Sequence, residues 1–355
     1  MTGKQTRRRF LKTGSAGVLG TAVGAMAAPA IVLGQSRTLT ISTWGGDTEN
    51  AIKSFVMPEF EKAHDCKLVF DIGSMGARYN KIRAQEGMST VDVFFSTDEP
   101  VFNGMRTDLF AEVNPANIPN MGDLHDWATP TGGFGVGYGL ITFGLAWHTG
   151  LVQNPPTSWS DLWREDINAN LALPAVFHSL MPALLIRSSE IAGGGADDLG
   201  PGLAKLAELR PKKLSYFWTA WAPLLESGDV HVAAEFDYYI EGMKDKGYSV
   251  AWNNPTDQGF ATYQHLSIPA ASENKDLAEA FLNAMLDPGV QEAIANKTYQ
   301  GPTNKKVNLA PEVAARSTYG DRLKNIRFFD GRDVDAKRQA ISEMLKTQVL
   351  PAWGE

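Results

Sequence analysis

Cysteine is almost absent from this sequence, which contains Cys66 and no other in 355 residues. A single thiol cannot form an internal disulfide, and without Cys-x-x-Cys or Cys-x-x-Cys-His there is no sign of haem, iron–sulfur or thiol redox chemistry. The motifs Gly-x-Ser-x-Gly and His-Glu-x-x-His and the phosphate-binding loop are missing too. We therefore expect no enzyme, no cofactor and no resident metal, and an exported metal-dependent enzyme stays open as an alternative of another class.

The N-terminus has the pattern of a twin-arginine export signal. Thr-Arg-Arg-Arg-Phe-Leu-Lys at 6–12 precedes a Gly/Ala-rich run with small-residue exits at Ala27 and Ala30. Residues 1–30 are thus predicted to be a signal peptide, exported by the Tat machinery and cleaved after either alanine. An uncleaved anchor over 16–33 is the alternative. Cleavage removes five basic residues and no acid, which changes the formal net charge from -7 to -12 and disfavours nucleic acid as a partner.

The remaining chain repeats a β-prone run, a polar turn and a helix. The runs lie at 38–42, 66–72 and 91–95, and this order predicts parallel strands with helices on both faces of a sheet. The polar turns then meet at the carboxyl edge of the sheet, where α/β folds bind ligands. Two further β-prone runs, 140–147 and 262–268, are predicted to cross between two lobes, because the length exceeds what one core usually supports.

Several short segments together resemble a known family. They are Ile-Ser-Thr-Trp at 41–44, the strand and loop at 91–97, Thr-Ser-Trp-Ser-Asp-Leu-Trp at 157–163, Ile-Pro at 268–269 with Glu-Asn-Lys-Asp at 273–276, and Leu-Asp-Pro-Gly-Val-Gln at 286–291 with Gly-Pro-Thr-Asn at 301–304. In this order they are similar to periplasmic solute-binding proteins of ABC transporters, in the spermidine/putrescine-receptor branch that also includes ferric-iron, thiamine and phosphonate receptors.

The resemblance implies a fold and a division into domains. The expected fold is α/β, the two-lobe periplasmic-binding-protein fold of type II, in which each lobe is a doubly wound mixed sheet and hinge strands join the lobes. Residues 37–143 plus 262–300 are expected to form lobe 1, and residues 144–261 plus 301–355 to form lobe 2.

The resemblance also implies a function. The chain would be a monomeric periplasmic receptor that binds a small molecule in the cleft between the lobes and delivers it to an ABC permease in the inner membrane. A polyamine-like amine is the first expectation. An organic acid, a phosphonate or ferric iron stays open, because neutral residues at 175–179 and Gln264 stand where polyamine receptors have acids.

The candidate ligand-binding residues follow predicted strands or lie on the predicted crossing strand. Aromatic rings could pack against a bound cation. The turn before Ser74 leaves backbone N–H groups free to bind an oxygen atom of a ligand. The planar guanidinium of Arg78 is suited to a carboxylate or a phosphonate. Core packing, helix capping and a solvated arginine are the structural alternatives. The candidates are Trp44, Ser74, Arg78, Thr97, Asp98, Tyr138, His178, Ser179, Trp218, Asp237, Tyr238 and Tyr239.

Overall fold

The computed structural model describes residues 37–85, 87–129, 132–176, 178, 180–215, 218–328 and 331–354. The predicted signal peptide at 1–30 lies outside the described residues, as does the candidate Ser179.

The described residues form one mixed sheet of eleven strands. The strands are β1 Arg37–Thr43, β2 Cys66–Ile72, β3 Val93–Ser96, β4 Val136–His148, β5 Leu171–Pro174, β6 Lys213–Ser215, β7 Val232–Phe236, β8 Val250–Asn253, β9 Gly259–Ser267, β10 Gly301–Pro302 and β11 Ile326–Phe328. The main path runs β2-β1-β3-β9-β4-β7-β5-β6, with β8 and β10 paired to β4 and β11 paired to β9. The predicted parallel arrangement of the first three strands is confirmed, since β1 pairs in parallel with both β2 and β3.

Helices connect these strands and cover the sheet. They are α1 Gly46–Phe55, α2 Met57–His64, α3 Met75–Ala84, α4 Asp98–Met105, α5 Glu165–Asn168, α6 Met181–Ile191, α7 Gly200–Leu206, α8 Trp218–Ser227, α9 Asp237–Asp245, α10 Lys275–Met285, α11 Pro288–Thr298, α12 Pro311–Ala314, α13 Gly331–Gln348 and α14 Leu350–Trp353. Short 3-10 turns lie at Pro115–Asn117, Pro119–Asp123, Asp126–Ala128, Trp159–Trp163 and Gly320–Asn325.

The two largest hydrophobic cores of the described residues lie along this sheet. One combines residues of β1, β3, α1 and α10, and the other combines residues of β5, β7, α6 and α13. The strands β4 and β9 contribute to both: Tyr138 and Leu266 belong to the first core, whereas Phe143 and Phe260 belong to the second. These are the two strands predicted to cross between lobes, so the α/β two-lobe fold is confirmed, while the exact lobe boundaries stay a prediction.

The sheet is continuous because the crossing strands hydrogen-bond to both halves. β9 is antiparallel to β3 on one side and to β4 on the other. Hydrophobic periodicity predicts where a strand lies but not which strand it pairs with, so the sequence indicated one sheet in each lobe rather than this shared path. The consequence is that the carboxyl ends of β1 and β3 lie next to the strands that join the lobes.

No helix in the described ranges is both long and apolar enough to cross a membrane.

Candidate functional site

Arg78 lies at the carboxyl ends of β1 and β3, where the sequence predicts a ligand-binding edge. Ser74 caps α3 by accepting a hydrogen bond from the backbone N of Ala77 at 3.4 Å, and this places Arg78 in the first turn. The Arg78 side chain folds back over the strand ends. Its Nε donates to the carbonyl of Gly73 at 2.9 Å, and its Nη1 donates to the carbonyls of Ser42 at 3.0 Å and Phe95 at 2.9 Å.

The Arg78 guanidinium is buried and forms no ion pair with a described carboxylate. Only 2% of the residue is exposed, and none of the described acids lies within ion-pair distance of it. Aromatic rings stand on its faces, with the Trp44 ring centroid 4.9 Å and the Phe94 centroid 5.0 Å from Cζ. Burial lowers the pKa of Arg78 to about 10, and the charge of Asp71 offsets this in part. The expectation of a solvated surface arginine therefore does not describe this residue.

Two residues with hydroxyl groups, which were not among the predicted site residues, stand at the ends of the neighbouring strands. Thr43 is the last residue of β1 and Ser96 the last of β3, and both are fully buried. Thr43 Oγ1, Ser96 Oγ and Arg78 Nη2 have no hydrogen-bond partner among the described residues. Buried polar groups are normally satisfied, so this shared deficit marks the strand ends as a place that a polar ligand could complete. A Ser or Thr at the end of a predicted central strand is the signal that could have identified them.

Tyr138 lies near this arginine, and Tyr238 and Tyr239 lie near Tyr138. Tyr138, on β4, is buried, and burial raises the pKa of its hydroxyl, while Thr48 and the Arg78 cation lower it. Tyr238 and Tyr239, in the first turn of α9, have ring centroids 4.0 Å apart. The pKa of Tyr238 is raised mainly by burial and next by the neighbouring Tyr239, and Tyr138 contributes to the same shift. The structure thus brings Trp44, Arg78 and these tyrosines into one neighbourhood.

Asp237 begins α9 and is fully buried. Its Oδ1 accepts hydrogen bonds from the backbone N of Thr142 at 3.1 Å and of Tyr238 at 2.9 Å, and its Oδ2 accepts one from Thr318 Oγ1 at 2.6 Å. Burial raises the pKa of this carboxyl to about 6, against the effect of those hydrogen bonds. Both oxygens are used within the protein, so Asp237 orients the start of α9 and the two tyrosines that follow it.

The remaining candidates are placed as follows. Thr97 precedes α4, and its Oγ1 lies 3.9 Å from the sulfur of Met75 at the start of α3. Asp98 and Trp218 are the first residues of α4 and α8, and their side chains are not among those described. His178 lies in the loop between β5 and α6, where burial, followed by the charge of Arg338, lowers its pKa to about 4. His178 is therefore a neutral acceptor at neutral pH, and its Nδ1 accepts a bond from the backbone N of Leu180.

The arrangement is suited to binding rather than to bond breaking. Aromatic faces, one arginine fork and buried hydroxyl groups can hold and orient a small polar molecule. Within the described residues, no group of three or more His, Cys, Asp or Glu side chains is placed to hold a metal ion.

The fold and these residues define the class of two-lobe periplasmic binding proteins. The sequence profile described as "Bacterial extracellular solute-binding protein" matches residues 56–319. The chain belongs to this family, whose members are substrate-binding proteins and not enzymes, and it is a solute-binding component of an ABC transporter.

Individual relatives are distant but cover most of the chain. A γ-aminobutyric acid-binding protein of Pseudomonas aeruginosa is 24% identical over 76% of this chain and 78% of its own length. The putrescine-binding periplasmic protein PotF of Escherichia coli is 23% identical over 85% of this chain and 86% of its own. The crystal structure of an ABC transporter from Clostridium perfringens has a TM-score of 0.74 and 26% identity to this chain, and the match covers 88% of this chain and 99% of that one.

Proposed function

We propose that this chain is the periplasmic receptor for a small organic solute that bears an amine. The observation that carries this is the group of rings at the strand ends: Trp44 after β1, Tyr138 on a crossing strand, and the Tyr238–Tyr239 pair on α9. Ammonium groups bind to aromatic faces, and two relatives are named for amine-bearing ligands, γ-aminobutyric acid and putrescine.

The proposed mechanism is binding without chemistry. Trp44 packs against the first core and Tyr238 and Tyr239 pack against the second, so a solute that touches all three residues contacts both lobes. Such a solute favours the closed arrangement by its higher affinity for that state. The permease in the inner membrane would then recognise the closed receptor. We further propose export of a monomer by the twin-arginine route, based on the N-terminal motif.

Two measurements test this function. Native mass spectrometry of the purified protein should reveal a small amine that is retained from the cell. A thermal-shift panel of amines, dicarboxylates, phosphonates, thiamine and ferric salts should show a concentration-dependent stabilisation by the amines, as linkage requires. Stabilisation by ferric salts or thiamine alone would mean that the ligand is not an amine. Turnover of any test compound would contradict the proposal that the protein is a receptor.

A further inference from the structure

The strand ends beside Arg78 are short of hydrogen-bond acceptors. Arg78 Nη2 and the hydroxyl groups of Thr43 and Ser96 are buried, and none has a partner among the described residues. A guanidinium N–H can only donate, and a hydroxyl group can donate one proton. Unsatisfied buried donors are costly. Ser96 shares a face of the sheet with Phe94, whose ring packs on Arg78, whereas Thr43 shares the opposite face with Ile41 and Phe95. An acceptor on the Arg78 side would therefore serve Arg78 Nη2 and Ser96.

The local charge balance points to the same kind of ligand. The charge of Asp71 acts on Arg78, but Asp71 Oδ1 is paired with Lys81 Nζ at 2.8 Å and its Oδ2 accepts from Ser42 Oγ at 3.2 Å. The protein acceptors of Arg78 are all neutral: the carbonyls of Gly73, Ser42 and Phe95 and, at 3.5 Å, Ser42 Oγ. A buried cation that lacks a carboxylate partner is completed most effectively by an anion, and a planar fork fits a carboxylate.

We infer that Arg78 and Ser96 form an anion subsite that binds a carboxylate of the solute. The inference rests on the proposed function and narrows it: the solute carries a carboxylate as well as an amine, and a simple diamine is a poor ligand. The carboxylate lies at the ends of β1 and β3, whereas the amine faces the tyrosine rings. An amino acid whose two charged groups are separated along a short chain satisfies both halves of the site.

Four linear compounds of matched length separate the two halves of the site. They are 4-aminobutyrate, its amide, 1,4-diaminobutane and butyrate, and a second set with a longer chain allows for ligand size. Calorimetric affinities are compared for the wild type, Arg78→Met and Arg83→Met. Arg83 lies on the same helix but is exposed, so its variant is the matched control for loss of one positive charge.

The wild type should bind the amino acid at least about 30-fold more tightly than the amide or the diamine, the scale for losing one partner of a buried charged pair. Arg78→Met should abolish this preference, whereas Arg83→Met should keep it. Ser96→Ala should weaken binding of the amino acid by about 10-fold and leave binding of the amide unchanged, whereas Thr43→Val, on the opposite face of the sheet, should change neither affinity. Ser96→Ala keeps the charge, so it tests the subsite even if Arg78→Met folds poorly.

Two outcomes would overturn the subsite. If the diamine binds as tightly as the amino acid, the subsite is wrong, while the amine receptor stands. If none of the compounds binds at millimolar concentration, both the subsite and the proposed amine class are wrong.

Discussion

At the scale of single residues, Arg78 and Asp237 are both buried and ionisable, and burial shifts their pKa values in opposite directions. Arg78 keeps its charge through carbonyls and ring faces, and its pKa of about 10 leaves it protonated at neutral pH. Asp237 is surrounded by donors, yet burial dominates and raises its pKa to about 6. A proton is therefore bound to Asp237 more readily in the folded chain than in the unfolded one.

This shift predicts a pH dependence of stability that Asp237→Asn removes. The folded-state pKa of about 6 lies above the ordinary value of 3.8. The stabilisation from proton uptake is therefore complete below about pH 4 and is lost as the pH rises to about 6. Between pH 7.5 and pH 4 the wild type should gain up to about 3 kcal/mol relative to the variant. Urea unfolding at a series of pH values measures this, and parallel curves for the two proteins would contradict the raised pKa.

The sequence correctly predicted where Arg78 lies relative to the strands, but it did not predict that Arg78 is buried. The strand-turn-helix order correctly placed Arg78 at the carboxyl edge of the sheet. Its burial depends on the carbonyls of Ser42 and Phe95, which come together only when β1 and β3 pair, and no local pattern encodes that pairing. For the same reason Thr43 and Ser96 looked like ordinary strand residues.

At the scale of elements, the turn at Trp159–Trp163 shows what a local signal can predict. The sequence Thr-Ser-Trp-Ser-Asp at 157–161 indicates a capped helix start, and the structure has a capping box between Ser158 and Asp161. Asp161 Oδ2 accepts from the backbone N of Thr157 at 2.7 Å and of Ser158 at 3.0 Å. By contrast, the antiparallel insertion of β9 between β3 and β4 joins distant segments, and it was not predicted.

The capping box makes Asp161→Ala a test of this element. The substitution leaves two backbone N–H groups without their acceptor, so the free energy of unfolding should fall by about 1 to 2 kcal/mol. Chemical denaturation gives the value. Glu165→Ala removes an exposed acid from the next helix and should change stability by less than about 0.5 kcal/mol. Equal losses in the two variants would mean that the capping bonds contribute nothing specific.

Trp159 connects the same turn to both crossing strands. Its ring lies 5.3 Å from that of Phe143 on β4 and 5.1 Å from that of Phe260 on β9, and the residue is fully buried. Trp159→Ala should therefore lower the free energy of unfolding by about 3 to 5 kcal/mol. Trp163→Ala, at a half-buried position, should cost clearly less. The ranking is measured by denaturation at one pH, and a larger loss for Trp163 would contradict the assigned core.

At the scale of the whole molecule, an ionic network joins the two halves through residues outside the candidate site. Arg316 Nε lies 2.6 Å from Glu241 Oε2 and its Nη2 lies 2.7 Å from Asp245 Oδ1, both on α9. Its Nη1 donates to the Tyr299 hydroxyl at 2.6 Å, and Tyr299 ends α11, which packs on α1. Tyr299 donates in turn to Asp245 at 2.7 Å. The network therefore ties the helix that begins with Asp237 and the two tyrosines to a helix of the other core.

Breaking this network should loosen the lobes without removing any candidate ligand contact. Since the described arrangement brings Arg78, Tyr138 and Tyr239 together, Arg316→Met should populate more open arrangements and weaken apparent solute affinity by about 10-fold. Tyr299→Phe keeps the ring under the guanidinium and should have a smaller effect in the same direction. Lys324→Met breaks an exposed ion pair with Asp321 and is the control.

Spin labels on Lys62→Cys and Glu226→Cys would report the lobe separation, because both positions are exposed and Cys66 is buried. The distance distribution of the ligand-free Arg316→Met protein should broaden, and saturating solute should narrow it again, because a ligand that contacts both lobes selects the closed arrangement. An unchanged distribution with weakened binding would mean that Arg316 acts on the site through local packing. An unchanged distribution with unchanged affinity would show that the crossing strands β4 and β9 alone set the lobe geometry.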